Sequence, residues 1–187
     1  WRETDGTVVL QLSPPDLSGL PLRLTMTLRI GRTLAQTLTT ENIDDKPVVF
    51  TEALHNYFHV SDVRKVTVSG LDGLSYLDKK DAGRVHAQLG DWQLLPQGYS
   101  DRIYTHASGP YVLHDPGLGR DIRITTEGSH SAVVWNAGEP AARGMDDIGA
   151  GWSHYLSVEV TNVAPDVIAL QAGERHELRQ VIDVVPR

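Results

Sequence analysis

Hydrophobic and polar residues alternate with a period of two along much of this chain. The clearest stretch is Leu22–Ile30, where leucine, methionine or isoleucine occupies every even position and arginine or threonine every odd one. Such alternation predicts a β-strand with one buried face. Gly31 and Arg32 can form a tight turn after it, so residues 33–40 are expected to complete a hairpin.

Shorter stretches rich in β-branched and aromatic residues follow. They lie at residues Val48–Phe50, 66–69, 103–105, 122–125, 132–135, 155–160 and 181–185. Clusters of glycine, proline, serine and aspartate separate them, as turns do in all-β proteins. Only 90–95 and 164–170 are candidates for short helical turns. The pattern predicts an all-β fold, a large antiparallel β-sandwich that forms a single domain over residues 1–187.

Composition narrows the class of protein further. Of the 187 residues, 40% are hydrophobic and 22% charged, which is ordinary for a globular protein, and no apolar run of about 18 residues is available to span a bilayer. The formal net charge is −7 without any basic block, so nucleic acid and membranes are not expected as partners. Cysteine is absent, which excludes disulfides, thiol nucleophiles and Cys-based zinc sites. We expect a cytoplasmic monomer.

The segment 54–59 has one hydrophobic face and one face of reactive groups. If the segment is extended, Leu54 and Phe58 lie on one side, and His55, Tyr57 and His59 lie on the other. Two imidazoles and a phenol are costly to bury but suit the lining of a cleft. A plain exposed strand face that happens to hold polar aromatics is the alternative.

A metal site at His55 and His59 is not expected. Their spacing suits a helix, as in the zinc motif HExxH, but position 56 is asparagine where that motif has glutamate. On a strand the two side chains would lie roughly 13 Å apart, at about 3.3 Å per residue, which is too far for one ion. The motifs GxGxxG, GxxxxGK[ST] and GxSxG are also absent, so neither a phosphate-binding loop nor a hydrolase nucleophile is indicated.

A carboxylate occurs on another predicted strand. Residues 155–162 alternate, which places Glu159 on the polar face with Ser157 and Thr161. A lone glutamate on such a face is most often solvated. Asp101, just before a short apolar stretch, could equally be a turn residue.

Trp135 and Asn136 put an aromatic ring beside an amide, a combination common at sugar sites but weak as an isolated signal. Composition and spacing alone predict a β-sandwich with a polar face that carries histidine. They do not indicate which reaction, if any, the protein catalyses.

Several motifs, in order, resemble those of the glucose-6-phosphate 1-epimerases, or hexose-6-phosphate mutarotases, of the aldose 1-epimerase superfamily. They are FTEALHNYF at 50–58, VTVSGL at 66–71, YLDK at 76–79, SDRIY at 100–104, VVWN at 133–136, Met145 with Asp147, and VE at 158–159. Each later motif is short, but the order and spacing together are specific and extend over nearly the whole chain.

The resemblance implies a galactose mutarotase-like supersandwich with a sugar-binding cleft on one sheet. It also implies a cofactor-free isomerase that interconverts the α and β anomers of hexose 6-phosphates. The catalytic residues of the family fall on His55 and Glu159, and its substrate-binding aspartate falls on Asp101. Further contacts to sugar hydroxyls are expected from Tyr57, His59, Trp135 and Asn136.

The chain departs from the family pattern in two places. Trp135-Asn136-Ala137 stands where the family commonly has Trp-Asn-Pro, and Glu159-Val160 where it has a Glu-Pro or similar step. Neither change removes a reacting group. The resemblance also implies that an N-terminal section precedes Trp1 and carries the arginines that hold the 6-phosphate, so that the chain would be the C-terminal major part of the domain.

Two alternatives stay open. One is a mutarotase for unphosphorylated aldoses. The other is a carbohydrate-binding β-sandwich that keeps the cleft without turnover.

Overall fold

A computed structural model describes residues 1–14 and 19–187. The described residues contain sixteen β-strands, one short α-helix at Gly138–Ala142 (α1), and 3-10 helices at Lys79–Asp81 and Gly149–His154. The fold is therefore the all-β architecture that the alternation predicts. Residues 90–95 and 164–170 are not helical, which corrects the expectation for both. Trp92 bridges to Val68, and the second stretch contains a strand.

Seven strands form the first antiparallel sheet. In chain order they are β1 (Val8–Leu12), β2 (Leu22–Ile30), β3 (Leu34–Asn42), β7 (Thr67–Ser69), β11 (Tyr111–Asp115), β12 (Arg120–Glu127) and β16 (Arg175–Pro186). Their spatial order is β1-β2-β3-β16-β12-β11-β7. The predicted hairpin corresponds to β2 and β3, which pair from Leu22 with Asn42 to Ile30 with Leu34.

The second sheet also has seven strands. They are β5 (Glu52–Leu54), β6 (Tyr57–His59), β8 (Ser75–Asp78), β9 (Arg84–Ala87), β10 (Ser100–Thr105), β13 (Ser131–Asn136) and β14 (Tyr155–Asn162). The order is β5-β14-β13-β10-β8-β9, and β6 pairs with the other end of β14 beside β5. A separate two-stranded ribbon joins β4 (Val48–Phe50) to β15 (Ile168–Leu170).

The two sheets pack face to face around one continuous core. Trp92, Tyr104 and Tyr111 are its largest fully buried side chains. Inward-facing residues of β14, among them Leu156 and Val158, belong to the same cluster. Strand β14 is the second strand from one edge of the second sheet, and its outward face holds polar residues of the site.

Strand β2 is less buried than its pattern predicts. None of its apolar side chains is fully buried, and Ile30 is exposed. In the first sheet it is β16 that packs against β14 and β5 of the second sheet, whereas β1 and β2 lie farther out. The strict alternation therefore predicted the position of the strand correctly, but it did not predict how far the apolar face of the strand is buried.

Candidate active site

An open cleft lies on the outward face of the second sheet. Its volume is about 280 Å³, near the lower end of small-molecule sites. Its lining residues are His55, Lys79, Asp101, Ile103, Val133, Trp135, Glu159 and Val163. Four of the residues singled out in the sequence, His55, Asp101, Trp135 and Glu159, therefore meet in one place although they come from different strands.

Strand register explains why these residues share a face. Trp135 pairs with Asp101 on one side and with Ser157 on the other, so these three side chains form a row across β10, β13 and β14. Val133 pairs with Glu159, two residues further along each strand. Because side chains two residues apart lie on the same face of a strand, Glu159 points to the same side as this row.

His55 lies at a break between β5 and β6. Both short strands pair with β14 in one continuous register, Leu54 with Val160 and Tyr57 with Ser157, so His55 comes opposite Glu159. At the break the side-chain amide of Asn56 donates to the carbonyl oxygens of Leu54 and Val158, each at 3.3 Å. The faces follow the predicted alternation, since Leu54 is buried and Tyr57 is exposed.

His55 and Glu159 are in direct contact. The distance from His55 Nε2 to Glu159 Oε1 is 3.2 Å, and the side chains are 43% and 7% exposed. Ser157 Oγ donates to the same Glu159 Oε1 at 3.2 Å and lies 3.4 Å from His55 Nδ1. The site thus contains an imidazole that is open to the cleft and a carboxylate buried beneath it. Glu159 is thus not solvated, unlike most lone glutamates on the polar face of a strand.

Burial shifts the proton affinities of both groups toward their neutral forms. It raises the pKa of Glu159 to about 7; the Ser157 hydrogen bond opposes this shift, and the negative charge of Asp101 adds to it. Burial also lowers the pKa of His55 from 6.5, and a hydrogen bond to its own backbone opposes that shift. The pKa of Glu159 therefore lies in the neutral range, where a residue that both accepts and returns a proton is most effective.

Asp101 and Lys79 bring opposite charges to the part of the cleft formed by β10 and the 3-10 helix after β8. Burial raises the pKa of Asp101, while the positive charges of Lys79 and Lys80 oppose that rise. Lys79 is the only lysine or arginine among the cleft-lining residues, and the described residues give it no ion pair. The cleft therefore combines hydrogen-bond acceptors with one ammonium group, which suits a ligand rich in hydroxyls.

An aromatic wall stands beside the reactive pair. The Tyr57 ring stacks on His55 with centroids 4.8 Å apart, and Trp135 meets both rings edge to face at 5.9 and 6.0 Å. Tyr155 closes the cluster at 5.6 Å from Trp135. Such packing limits the rotation of the imidazole and leaves an aromatic surface, which sugar rings commonly contact.

Two of the predicted contact residues lie outside the cleft. His59 faces a neighbouring groove, where its ring centroid is 6.3 Å from that of His154. Asn136 is buried, and its amide donates to the carbonyl oxygens of Trp152 and Tyr155 while its oxygen accepts from the Gly138 N–H. The expectation that the Asn136 amide contacts the sugar is therefore corrected, because those bonds hold the backbone instead. Tyr57 borders both spaces.

Two residues of the site were not identified from the sequence. Ser157 was assigned to the face of Glu159 but given no role, and Lys79 was noted only within the YLDK motif. The alternation of β14 was the signal that could have identified Ser157, because it places this residue on the same face as Glu159. No local pattern indicated that the 3-10 helix after β8 would bring Lys79 to Asp101.

The described part of the chain contains no group of three or more His, Asp or Glu side chains placed to hold a metal ion. Among the same residues, no helix has the length and apolar character needed to cross a membrane.

The fold and the cleft together define a galactose mutarotase-like β-sandwich, with an imidazole and a carboxylate facing each other on one sheet. The chain belongs to the aldose 1-epimerase family, whose family model, described as Aldose 1-epimerase, matches residues 2–183. This agrees with the resemblance found in the sequence motifs.

Individual relatives give the same classification. The "Putative glucose-6-phosphate 1-epimerase" of Cenchrus ciliaris is 30% identical over 186 residues, which are 96% of this chain and 56% of that protein. The protein of the same name from Escherichia coli (strain K12) is 31% identical over 138 residues, covering 73% of this chain and 46% of its own length.

A solved structure supports the fold. The crystal structure of a "putative mutarotase" from Salmonella typhimurium superposes with a TM-score of 0.85 at 26% identity, covering 97% of this chain and 61% of that one. The chain thus spans about half the length of the curated relatives that it matches.

Proposed function

We propose that the protein interconverts the α and β anomers of a hexose 6-phosphate by acid–base opening and closing of the pyranose ring. The observation that carries the proposal is the contact between His55 and Glu159, 3.2 Å apart in a cleft that also holds Asp101 and Trp135. Anomer exchange requires one group to remove a proton and another to supply one at two neighbouring oxygens of the sugar. It involves no redox step, so the proposal includes no cofactor.

In the proposed mechanism, the Glu159 carboxylate removes the proton from the C1 hydroxyl while the His55 imidazolium protonates the ring oxygen. The C1–O5 bond breaks, and an open-chain aldehyde results. After rotation about C1–C2, protonated Glu159 returns its proton to the carbonyl oxygen. Neutral His55 takes the proton back from the O5 hydroxyl as that oxygen attacks C1. Each residue ends the cycle in its starting form.

The environment of the pair supports these roles. Because burial raises the pKa of Glu159 to about 7, its carboxylate is a stronger base than an exposed one. Because burial lowers the pKa of His55, its imidazolium gives up a proton more readily. Positioned acid and base groups of this kind contribute about 10²–10⁴-fold each to the rate.

The remaining cleft residues provide the proposed sugar contacts. The Asp101 carboxylate accepts hydrogen bonds from hydroxyls, and the Trp135 and Tyr57 rings pack against the sugar. The phosphate part of the proposal is supported by the names of the relatives, which are 30–31% identical, and by the single ammonium group of Lys79 in the cleft.

The test is anomer exchange measured by NMR on the full-length protein with freshly dissolved α-glucose 6-phosphate. We expect His55→Ala and Glu159→Gln each to lower the enzymatic rate by about 10²-fold or more. His130→Ala and Glu177→Gln serve as matched controls, because both side chains are exposed and outside the cleft. A full rate in either cleft variant would contradict the roles proposed for these residues.

Parallel measurements separate the alternatives. Equal or faster exchange of α-glucose would indicate a mutarotase for unphosphorylated aldoses. Sugar binding by calorimetry with no acceleration would indicate a carbohydrate-binding sandwich. A monomeric state and a cytoplasmic location stay predictions.

A further inference from the structure

Ser157 occupies an unusual position beneath the reactive pair. Its side chain is fully buried on strand β14, and its single hydroxyl lies between both groups: Oγ is 3.2 Å from Glu159 Oε1 and 3.4 Å from His55 Nδ1. The same Oε1 is 3.2 Å from His55 Nε2. The three side chains therefore close a ring of polar contacts.

The donors and acceptors of this ring can be assigned. Ser157 has one O–H, and when that group donates to Glu159, its oxygen can only accept from the N–H on His55 Nδ1. Nε2 and Oε1 then face each other at 3.2 Å and need one proton between them. The ring is complete when the pair carries that proton, either on His55 with an ionised Glu159 or on Glu159 with a neutral His55.

The two forms are not equally favoured by Ser157. With His55 protonated and Glu159 ionised, both bonds of the hydroxyl are to charged partners, and such bonds are about twice as strong as neutral ones. With the proton on Glu159, both bonds are between neutral groups. Burial works in the opposite direction, since it favours the neutral form of each group.

We propose that Ser157 is a positioning residue that increases the share of the charge-separated form of His55 and Glu159, from which proton transfer to the sugar starts. This inference rests on the proposed function for its catalytic meaning. Ser157 does not touch substrate, because Glu159, His55 and the neighbouring Trp135 and Tyr57 lie around it and it has no exposed surface.

Kinetics against pH provide the first test. In Ser157→Ala, Glu159 loses a bond that favours its ionised form and His55 loses the acceptor of its Nδ1 proton, so their pKa values move apart. We expect the maximum of kcat/KM to fall about tenfold or more, and the bell-shaped profile to become wider. Ser157→Thr keeps the hydroxyl and should keep the profile of the wild type.

Ser131→Ala is the matched control. Ser131 is also a fully buried serine with hydrogen-bonded Oγ in the same sheet, but its partners are Thr161 and Asp166. If both serine variants lost activity while the width of their pH profiles of kcat/KM stayed that of the wild type, the role of Ser157 would be merely structural. That result would overturn the proposal. So would a wild-type profile in Ser157→Ala.

The protonation state of His55 can be read without turnover. In ¹⁵N NMR of the substrate-free proteins over a pH series, the ring nitrogens of His55 should keep imidazolium character to a higher pH in the wild type than in Ser157→Ala, with the signals identified by their absence in His55→Gln. A neutral His55 of the wild type that carries its proton on Nε2 instead of Nδ1 would overturn the proposal even if Ser157→Ala failed to fold. If the protein does not accelerate anomer exchange, the proposed function fails, whereas this spectrum still reports on Ser157.

Discussion

At the scale of single residues, the main feature of the site is a carboxyl group placed where its charge is unfavourable. Glu159 is 7% exposed, and burial raises its pKa from 4.5 to about 7. In a protein that used this position only for stability, an apolar residue would serve better. The proposed reaction supplies a reason for the glutamate, because a base that titrates near neutrality needs this environment.

This placement predicts a pH-dependent effect of Glu159→Gln on stability. A folded-state pKa above the unfolded value means that folding is favoured below about pH 4.5 and loses that contribution as the pH rises through 7. The shift corresponds to about 3 kcal/mol. Relative to the wild type, Glu159→Gln should therefore gain up to about 3 kcal/mol in free energy of unfolding between pH 5 and pH 8, measured by urea denaturation.

Glu177→Gln is the control for this experiment, since Glu177 is exposed on β16. Its difference from the wild type should not change appreciably with pH. Parallel stability curves for Glu159→Gln and the wild type would show that the folded protein does not disfavour the ionised carboxyl group.

At the scale of elements, the site depends on the interruption between β5 and β6. The two strands flank His55 along one side of β14. The Asn56 amide holds the interruption by donating to the backbone carbonyl oxygens of Leu54 on β5 and Val158 on β14. The same amide exchanges hydrogen bonds with Gln180 of the opposite sheet at 2.9 Å. The backbone on either side of His55 is thus tied to both sheets.

We predict that Asn56→Ala lowers kcat more than it raises KM, because the imidazole loses its fixed position while the sugar contacts of Asp101 and Trp135 remain. Loss of the half-buried amide should also reduce the free energy of unfolding by about 1–3 kcal/mol. Steady-state kinetics and urea denaturation measure the two effects.

Asn42→Ala separates stability from positioning. Asn42 is fully buried and, like Asn56, donates to backbone carbonyl oxygens, those of Lys46, Leu170 and Gln171, but it does not line the cleft. It should lose stability without a selective fall in kcat. Equal kinetic effects in both variants would contradict a special role for the interruption beside His55.

At the scale of the whole molecule, both sheets share one hydrophobic core. Leu156 on the inner face of β14 belongs to the same cluster as Ile122 and Leu178 of the first sheet. We infer from this continuity that the described residues belong to one domain, as the sequence predicts. Glu159 of the reactive pair and the core residue Leu156 therefore lie on opposite faces of β14.

A shared core predicts one cooperative unfolding transition, in which tryptophan fluorescence and far-UV circular dichroism coincide. Leu156→Ala should shift both signals together and cost about 2–5 kcal/mol, whereas Leu118→Ala, at an exposed turn, should cost well under 1 kcal/mol. Two separate transitions, with only one of them sensitive to Leu156→Ala, would indicate two independent units.

Much of the fold could be predicted because strand formation depends on local alternation. The predicted hairpin became β2 and β3, and the stretch 155–160 became most of β14. Depth of burial could not be predicted in the same way. The polar face of β14 is buried, although its serine, glutamate and threonine suggested solvent, whereas the apolar face of β2 is only partly covered. Burial depends on which surface lies opposite a strand, and this is a non-local property.

The sequence by itself determined the all-β class, the faces on which His55 and Glu159 lie and, through the ordered motifs, the family. The tertiary structure alone decided that Glu159 and Ser157 are buried together beneath His55, that Asn136 serves the backbone, and that Lys79 joins Asp101 in the cleft. The physical reason is that alternation assigns a side chain to one face of its strand. Distances between strands, and the proton affinities that depend on them, arise only when sheet order and register bring distant segments together.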